Sequence, residues 1–343
     1  MKIIDAHTHI RFSHEGSPHL YKLMARNGVD MVNTLSAQCG GNLSQNAMGA
    51  LNKLRHPKTA YAFGGLDYAT GKDFLSQVQT LYDTGFDGMK MLEGKPTIRK
   101  KLGIALDDAK YEPFYSFLEE KRFPVLMHIA DPPSFWDKGQ IPSWALEQGW
   151  FYDESFVPYN QFYLEINNVL KKHPDLPVIL AHFYFLSQDI EKAGELLDNH
   201  PSVCIDITAG IEMYENFSKD PAMWREFFIK HSHRIIYGTD YTDDPPEEDD
   251  SLIALNAHGK MEIEFIQSEK AFTHYNMTIR GLGLPENVQE NIFYNNFTRL
   301  AGETPKPVDA EMAVKNAEYT LGFIKDGDQR GVMGEVIKQM KKV

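Results

Sequence analysis

Cysteine is scarce in this 343-residue chain, where only Cys39 and Cys204 occur. Cys204 sits in the apolar run SVCIDIT, which reads as a buried strand, so a disulfide framework is not expected and a reducing compartment fits. Also missing is any run of about 18 apolar residues, the length of a membrane span. The N-terminal MKIIDAHTHI is polar where a secretion signal would be apolar, so a cytoplasmic, non-membrane protein is expected. Positive charge is short as well. The formal net charge is -13 and no basic stripe stands out, which disfavours a nucleic-acid partner. A small molecule is the expected partner, and a homo-oligomer is compatible with the sequence. No G-x-G-x-x-G turn follows any apolar run, which argues against an open doubly wound nucleotide-binding sheet.

What is present is an alternation of short and long segments. Hydrophobic residues make up 42% and charged residues 24%, ordinary values for a globular protein. Eight short apolar or β-branched runs fall at 2–7, 30–35, 60–66, 86–92, 124–129, 177–183, 202–207 and 235–240. Between them, segments such as 72–84, 109–122, 160–172 and 188–199 carry apolar residues at three- and four-residue steps and are expected to be helices. Strand–helix alternation implies a parallel sheet, and eight units imply an α/β fold closed as a (β/α)8 TIM barrel. After residue 241 the alternation stops. Helices are expected at 259–280, 286–301 and 308–341, closing the barrel and packing beneath it. The division expected is a barrel over 1–302 and a C-terminal helical extension over 303–343 packed on it. The long connection 129–159 is rich in aromatics, including Phe135, Trp136, Trp144, Trp150 and Tyr152. It reads equally as a lid over a site or as a surface subdomain with its own aromatic core. The acidic stretch 243–250 reads as a solvated loop, with Asp243 and Asp244 close enough to a strand end to rim a site.

The 13 histidines separate by position in each strand–helix unit. His56, His173, His200, His231 and His233 lie just before strands, near helix C-termini, where an imidazole faces the negative end of the helix dipole. These are expected to be structural. A second set lies where barrel active sites are built, at the C-terminal ends of strands. His7 and His9 end the first run, His128 the fifth, His182 the sixth and Asp240 the eighth. Side chains two apart on a strand point the same way, so His7 and His9 can approach one ion, with Asp5 in the same phase. Four imidazoles and a carboxylate converging on one rim are costly without a partner, and a divalent cation is the natural one.

These pieces resemble the amidohydrolase superfamily, particularly the branch containing aminocarboxymuconate semialdehyde decarboxylase and several lactone hydrolases. The resemblance rests on IDAHTH at 4–9, VLMHIADP at 125–132, ILAHF at 179–183, IDITA at 205–209 and IIYGTDY at 235–241. Asn296 in YNNFTRLAG resembles the asparagine of that family's closing helix. The resemblance implies metal ligands at His7, His9, His128 and Asp240. His182 becomes either a second-metal ligand or a catalytic base or polarising group.

Lys90, in the fourth run, corresponds to a lysine that binuclear members carboxylate to bridge two metals. The branch matched by the other motifs works with one metal, so Lys90 is expected to stay an ammonium that binds a substrate carboxylate. Lys95, Arg99 and Trp136 are expected to help bind that substrate. Three histidines and an aspartate suit one Zn2+, the ion expected first, and are compatible also with Mn2+, Fe2+ or Co2+. Such an ion lowers the pKa of water to about 7, with His182 or Asp240 as the catalytic proton acceptor. The expected activity is hydrolysis of a small, carboxylated lactone, amide or ester. Decarboxylation at the same site is the alternative.

Overall fold

The computed structural model describes residues 1–208, 210–243, 249–274 and 276–343. Its centre is a parallel sheet of nine strands: β1 (Ile4–His9), β2 (Met31–Leu35), β3 (Ala60–Gly65), β4 (Gly88–Gly94), β5 (Val125–Ile129), β6 (Val178–Leu180), β7 (Val203–Asp206), β8 (Ile235–Ile236) and β9 (Tyr241–Thr242). They are ordered β8-β7-β6-β5-β4-β3-β2-β1-β9. Residues on both faces of these strands are buried, which is why they read as continuous apolar runs and why helices must flank them.

β8 and β9 are the two halves of one interrupted eighth strand. Ala6 N donates to Tyr237 O at 3.1 Å, Asp240 N donates to His7 O at 2.7 Å, and Thr8 and His9 pair with Tyr241 and Thr242. The last strand therefore closes on the first, and the fold is the expected TIM barrel. The interruption matters because it frees Tyr237–Asp240 from strand geometry at the barrel mouth.

The floor is apolar. Ile4, Ala6, Tyr61, Phe63, Leu126 and Ile179 pack with Phe297, whose ring lies 5.1 Å from that of Tyr61. Phe297 belongs to the helix Asn296–Ala301, and the buried Asn296 amide donates to Ser232 O and Ile235 O, both at 2.7 Å. This helix seals the bottom of the barrel, while the polar rim opens at the other end.

Two C-terminal expectations are corrected. The helix expected at 259–280 ends earlier, as Asp249–Gln267, and is followed by an antiparallel hairpin of β10 (Ala271–His274) and β11 (Met277–Arg280). Phe272, Thr273, Thr278 and Ile279 favour an extended, half-buried ribbon, and β-propensity prevails there over helical spacing. The segment 308–341 is two helices, Ala310–Leu321 and Gly327–Met340, begun by Asp309 and Asp326 caps. They lie on the barrel's flank rather than beneath it. Asn316 bonds Thr84 at 3.1 Å, and Gln339 bonds His14 O at 3.0 Å.

The loop after β5 forms its own aromatic cluster. Phe135, Ala145 and Tyr152 pack with Trp136, Ile141, Trp150 and Phe156, the arrangement of a small surface subdomain. His56, His173, His200 and His231 each cap a helix C-terminus. Both cysteines are free and buried. Among the described residues, no helix is long and apolar enough to cross a membrane.

Candidate metal centre

At the mouth, β1 presents His7 and His9 from one strand. A bulge between Asp5 and Thr8 shifts the phase of β1, so Ile4 and Ala6 line the floor while His7 and His9 still reach the rim. Asp5, across the bulge, does a different job. Its carboxyl accepts from Thr239 N at 3.0 Å and Thr239 Oγ1 at 2.6 Å, and so holds the Gly-Thr-Asp turn. Gly238 is required there, because an added Cβ would meet Thr208 Cγ2 at 2.6 Å and His7 Cβ at 2.7 Å. The turn ends with Asp240 in the left-handed region at φ 58, a strained conformation for a non-glycine residue.

That strain aims the Asp240 carboxylate between two imidazoles. Asp240 Oδ1 lies 3.2 Å from His7 Nε2 and 3.0 Å from His9 Nε2. One donor atom from each of the three residues falls within 4.8 Å of the others. The Nδ1 of His7 lies 2.8 Å from Asp206 Oδ2, at the end of β7. Nδ1–H donation to that carboxylate turns Nε2 toward Asp240; burial and Lys90 oppose a charge on this ring, but Asp206 and Asp240 together raise its pKa, and a metal would take the place of the proton they favour.

The charges are confined. Burial alone would raise Asp240, but His7 and His9 hold it well below the usual carboxylate range. Asp206 is likewise held at about 2 against burial, by His7 and then by His182 and Thr208. Burial takes His9 down to about 4. Lys90, on β4 and 1% exposed, has Nζ 3.2 Å from His7 Nε2. Burial lowers it to about 8 despite the pull of Asp240 and Asp206.

His128 and His182 form a second pair facing each other across the mouth, with His128 Nδ1 3.1 Å from His182 Nε2. β6 stops at Leu180, earlier than the expected run to 183, and the backbone from His182 to Phe185 is left-handed throughout, with φ of 58, 52, 53 and 55. The turn is held by His182 N donating to Asp206 Oδ1 at 2.7 Å and Tyr184 N to Ala181 O at 2.9 Å. Burial, then the neighbouring His128, takes His182 down to about 3, so its ring is neutral.

Of the four residues expected to bind substrate, the structure brings Lys90 alone to this group. Lys95 is paired with Asp131 at 3.1 Å and lies over the Trp150 ring at 4.2 Å. Arg99 forks onto the buried Glu165, at 3.1 and 3.4 Å. Trp136 donates its ring N–H to Val157 O at 3.2 Å inside the aromatic cluster. Asp243 does not rim the site as a solvated carboxylate. It is fully buried and accepts from Phe12 N at 2.9 Å and Ser17 Oγ at 2.6 Å, fixing the segment after β1. Asp244 lies outside the described residues. Sequence reasoning gave no role to Asp206, Thr208 or Asp131, although Asp206 lies next to the end of the seventh apolar run and was open to the same strand-end rule.

The fold agrees with comparisons to known proteins. No curated protein matches the sequence. Solved structures match despite low identity. An uncharacterised TIM-barrel protein from Bordetella bronchiseptica is 16% identical with a TM-score of 0.59, over 88% of this chain and 99% of that one. A 2,6-dihydroxybenzoate decarboxylase from Rhizobium is 15% identical with a TM-score of 0.53, over 88% and 98%. A dihydroxybenzoic acid decarboxylase from Polaromonas, solved with manganese and 2-nitroresorcinol, is 13% identical with a TM-score of 0.50, over 87% and 96%. These likenesses concern the barrel itself. The family described as Amidohydrolase matches residues 4–300, from the first strand through the closing helix, and the chain belongs to that family.

Proposed function

We propose that this protein is a divalent-metal-dependent enzyme that hydrolyses a lactone, amide or ester in a small carboxylated molecule. The observation that carries the reading is the convergence of His7 Nε2, His9 Nε2 and the Asp240 carboxylate on one point. Two imidazoles and an ionised carboxylate suit Zn2+, Mn2+, Fe2+ or Co2+, and His128 is the fourth candidate donor. One ion per chain is proposed, with zinc first. The manganese in the Polaromonas decarboxylase supports a divalent ion on this fold. When bound, such an ion polarises a substrate carbonyl and lowers the pKa of water.

The chain's own residues supply the rest. His182 Nδ1 lies 3.1 Å from Thr208 Oγ1, whose own proton goes to Asp206 Oδ1 at 2.6 Å, and 3.3 Å from the Thr208 carbonyl oxygen; both oxygens accept, so the proton of this neutral ring belongs on Nδ1. Its Nε2 is then a lone pair at the mouth, able to take a proton from the attacking water and return it to the leaving group. Asp240, the second candidate acceptor, stays ionised and contributes charge. Lys90 is proposed as an unmodified ammonium that pairs with the substrate carboxylate.

Decarboxylation is the second reading, and Lys90 is the observation that favours it. When CO2 leaves, the electron pair of the broken C–C bond stays on the substrate carbon, and the buried Lys90 ammonium is a charge that would offset it while a proton replaces CO2 there. The dihydroxybenzoate decarboxylases on the same fold lend support. Against it, Lys95 and Arg99 are already neutralised by Asp131 and Glu165. The test is a screen of lactones, amides and esters beside aromatic and enoic carboxylates, with metal-replete enzyme and parallel detection of acid and CO2. Acid release lost in His182→Ala supports hydrolysis. CO2 release lost in His182→Ala, with no ester, amide or lactone cleaved, overturns it in favour of decarboxylation.

A further inference from the structure

Asp131 lies three residues after His128, just beyond β5, and is 3% exposed. Its carboxylate gathers groups from three parts of the chain. Lys95 Nζ, from the segment after β4, is 3.1 and 3.2 Å from its two oxygens. The Tyr152 hydroxyl, from the aromatic loop, donates to Oδ2. His128 Nε2 lies 3.0 Å from Oδ1. A carboxylate beside an ammonium and a donating phenol is an acceptor, so His128 must bring a proton on Nε2.

A neutral imidazole carries one proton, and His128 Nδ1 is therefore a lone pair. That nitrogen is the one turned into the mouth, 3.1 Å from His182 Nε2. His182 Nε2 is a lone pair too, because its Nδ1–H faces the Thr208 carbonyl. Two lone pairs directed at each other at this distance repel unless something positive sits between or beside them.

We propose that Asp131 is a positioning residue: it holds His128 as the Nε2–H tautomer and so presents Nδ1 as the donor to the metal. The proposal rests on the metal reading above and is independent of the reaction class. It also distinguishes the two orienting carboxylates. Asp206 takes the Nδ1 proton of His7 and leaves Nε2 to coordinate, whereas Asp131 takes the Nε2 proton of His128 and leaves Nδ1. Partners of this kind fix ring orientation and raise ligand basicity, and their loss weakens metal affinity by about 10–100-fold.

The test uses the full chain, stripped of metal, in wild type and in the variants Asp131→Ala, Asp131→Asn and Tyr152→Phe. Zn2+ affinity is measured by competition with a chelator, and the ring tautomers by 15N NMR of the histidines without metal. The expected results are a loss of about 10–100-fold in Asp131→Ala, most of it recovered in Asp131→Asn, which keeps an acceptor oxygen. Tyr152→Phe, which frees the aromatic loop but leaves the His128 contact, should bind Zn2+ like wild type. In the spectra, His128 should be Nε2–H in wild type and a tautomer mixture in Asp131→Ala. Unchanged affinity in Asp131→Ala, or an equal loss in Tyr152→Phe, overturns the proposal. If wild type takes up no Zn2+, the metal reading falls and the donor role of Nδ1 falls with it. The spectra then still decide the tautomer, and an Nε2–H ring persisting in Asp131→Ala denies Asp131 its positioning role.

Discussion

Asp206, at the end of β7, and His7, on β1, meet at 2.8 Å, Oδ2 to Nδ1, both fully buried. The same carboxylate accepts from His182 N at 2.7 Å and from Thr208 Oγ1 at 2.6 Å. One side chain thereby orients the first histidine of the mouth and pins the left-handed turn that carries His182. Removing it leaves several buried donors without an acceptor, each costing about 1–3 kcal/mol. Asp206→Ala should therefore lose at least about 2 kcal/mol of stability in urea unfolding, and Asp206→Asn distinctly less. A variant within about 0.5 kcal/mol of wild type would show that the network is not under tension.

Lys90 is expected to act on substrate and not on metal retention. Among the described residues its ammonium is the cation placed beside His7, and the reading needs it uncarboxylated. Lys90→Ala should raise KM or abolish turnover while metal analysis still finds one ion per chain. A carbamate bridging two ions in a crystal structure would refute this and join the His128–His182 pair into a second site.

Glu93 carries a pH signature. The bulge in β4 between Met91 and Gly94 accompanies its burial, and Tyr68 donates to its Oε1 at 2.9 Å. Burial raises its carboxyl from 4.5 to about 7, with the Tyr68 bond opposing. The folded protein thus keeps this proton up to about pH 7, whereas the unfolded chain releases it near 4.5. The contribution to stability is complete below the lower value and is lost as pH rises through the upper one. Glu93→Gln, always neutral, should gain melting temperature relative to wild type between pH 4.5 and 8. Melting curves that stay parallel across this range would rule it out.

The strand pattern made much of this legible. Apolar runs gave the barrel, and the strand-end rule selected His7, His9, His128, His182 and Asp240, all of which the structure puts at one mouth. What stayed hidden depends on distance along the chain or on local irregularity. Arg99 looked like a free cation because Glu165, which neutralises it, is 66 residues away. Asp206 is 199 residues from His7. The phase shift in β1 separates Asp5 from its neighbours' direction, and no period-two reading detects a bulge. Lys95 has a partner that its place in the chain did not announce, the buried carboxylate of Asp131, three residues past His128.

Metal content is the most direct measurement. Wild type, His7→Ala and Asp240→Ala should be purified under mild conditions and compared by elemental analysis, with circular dichroism confirming that each is folded. About one divalent ion per wild-type chain is expected, as three imidazoles and a carboxylate would hold, with loss of that ion in both variants. Full metal occupancy in folded His7→Ala and Asp240→Ala would contradict this expectation.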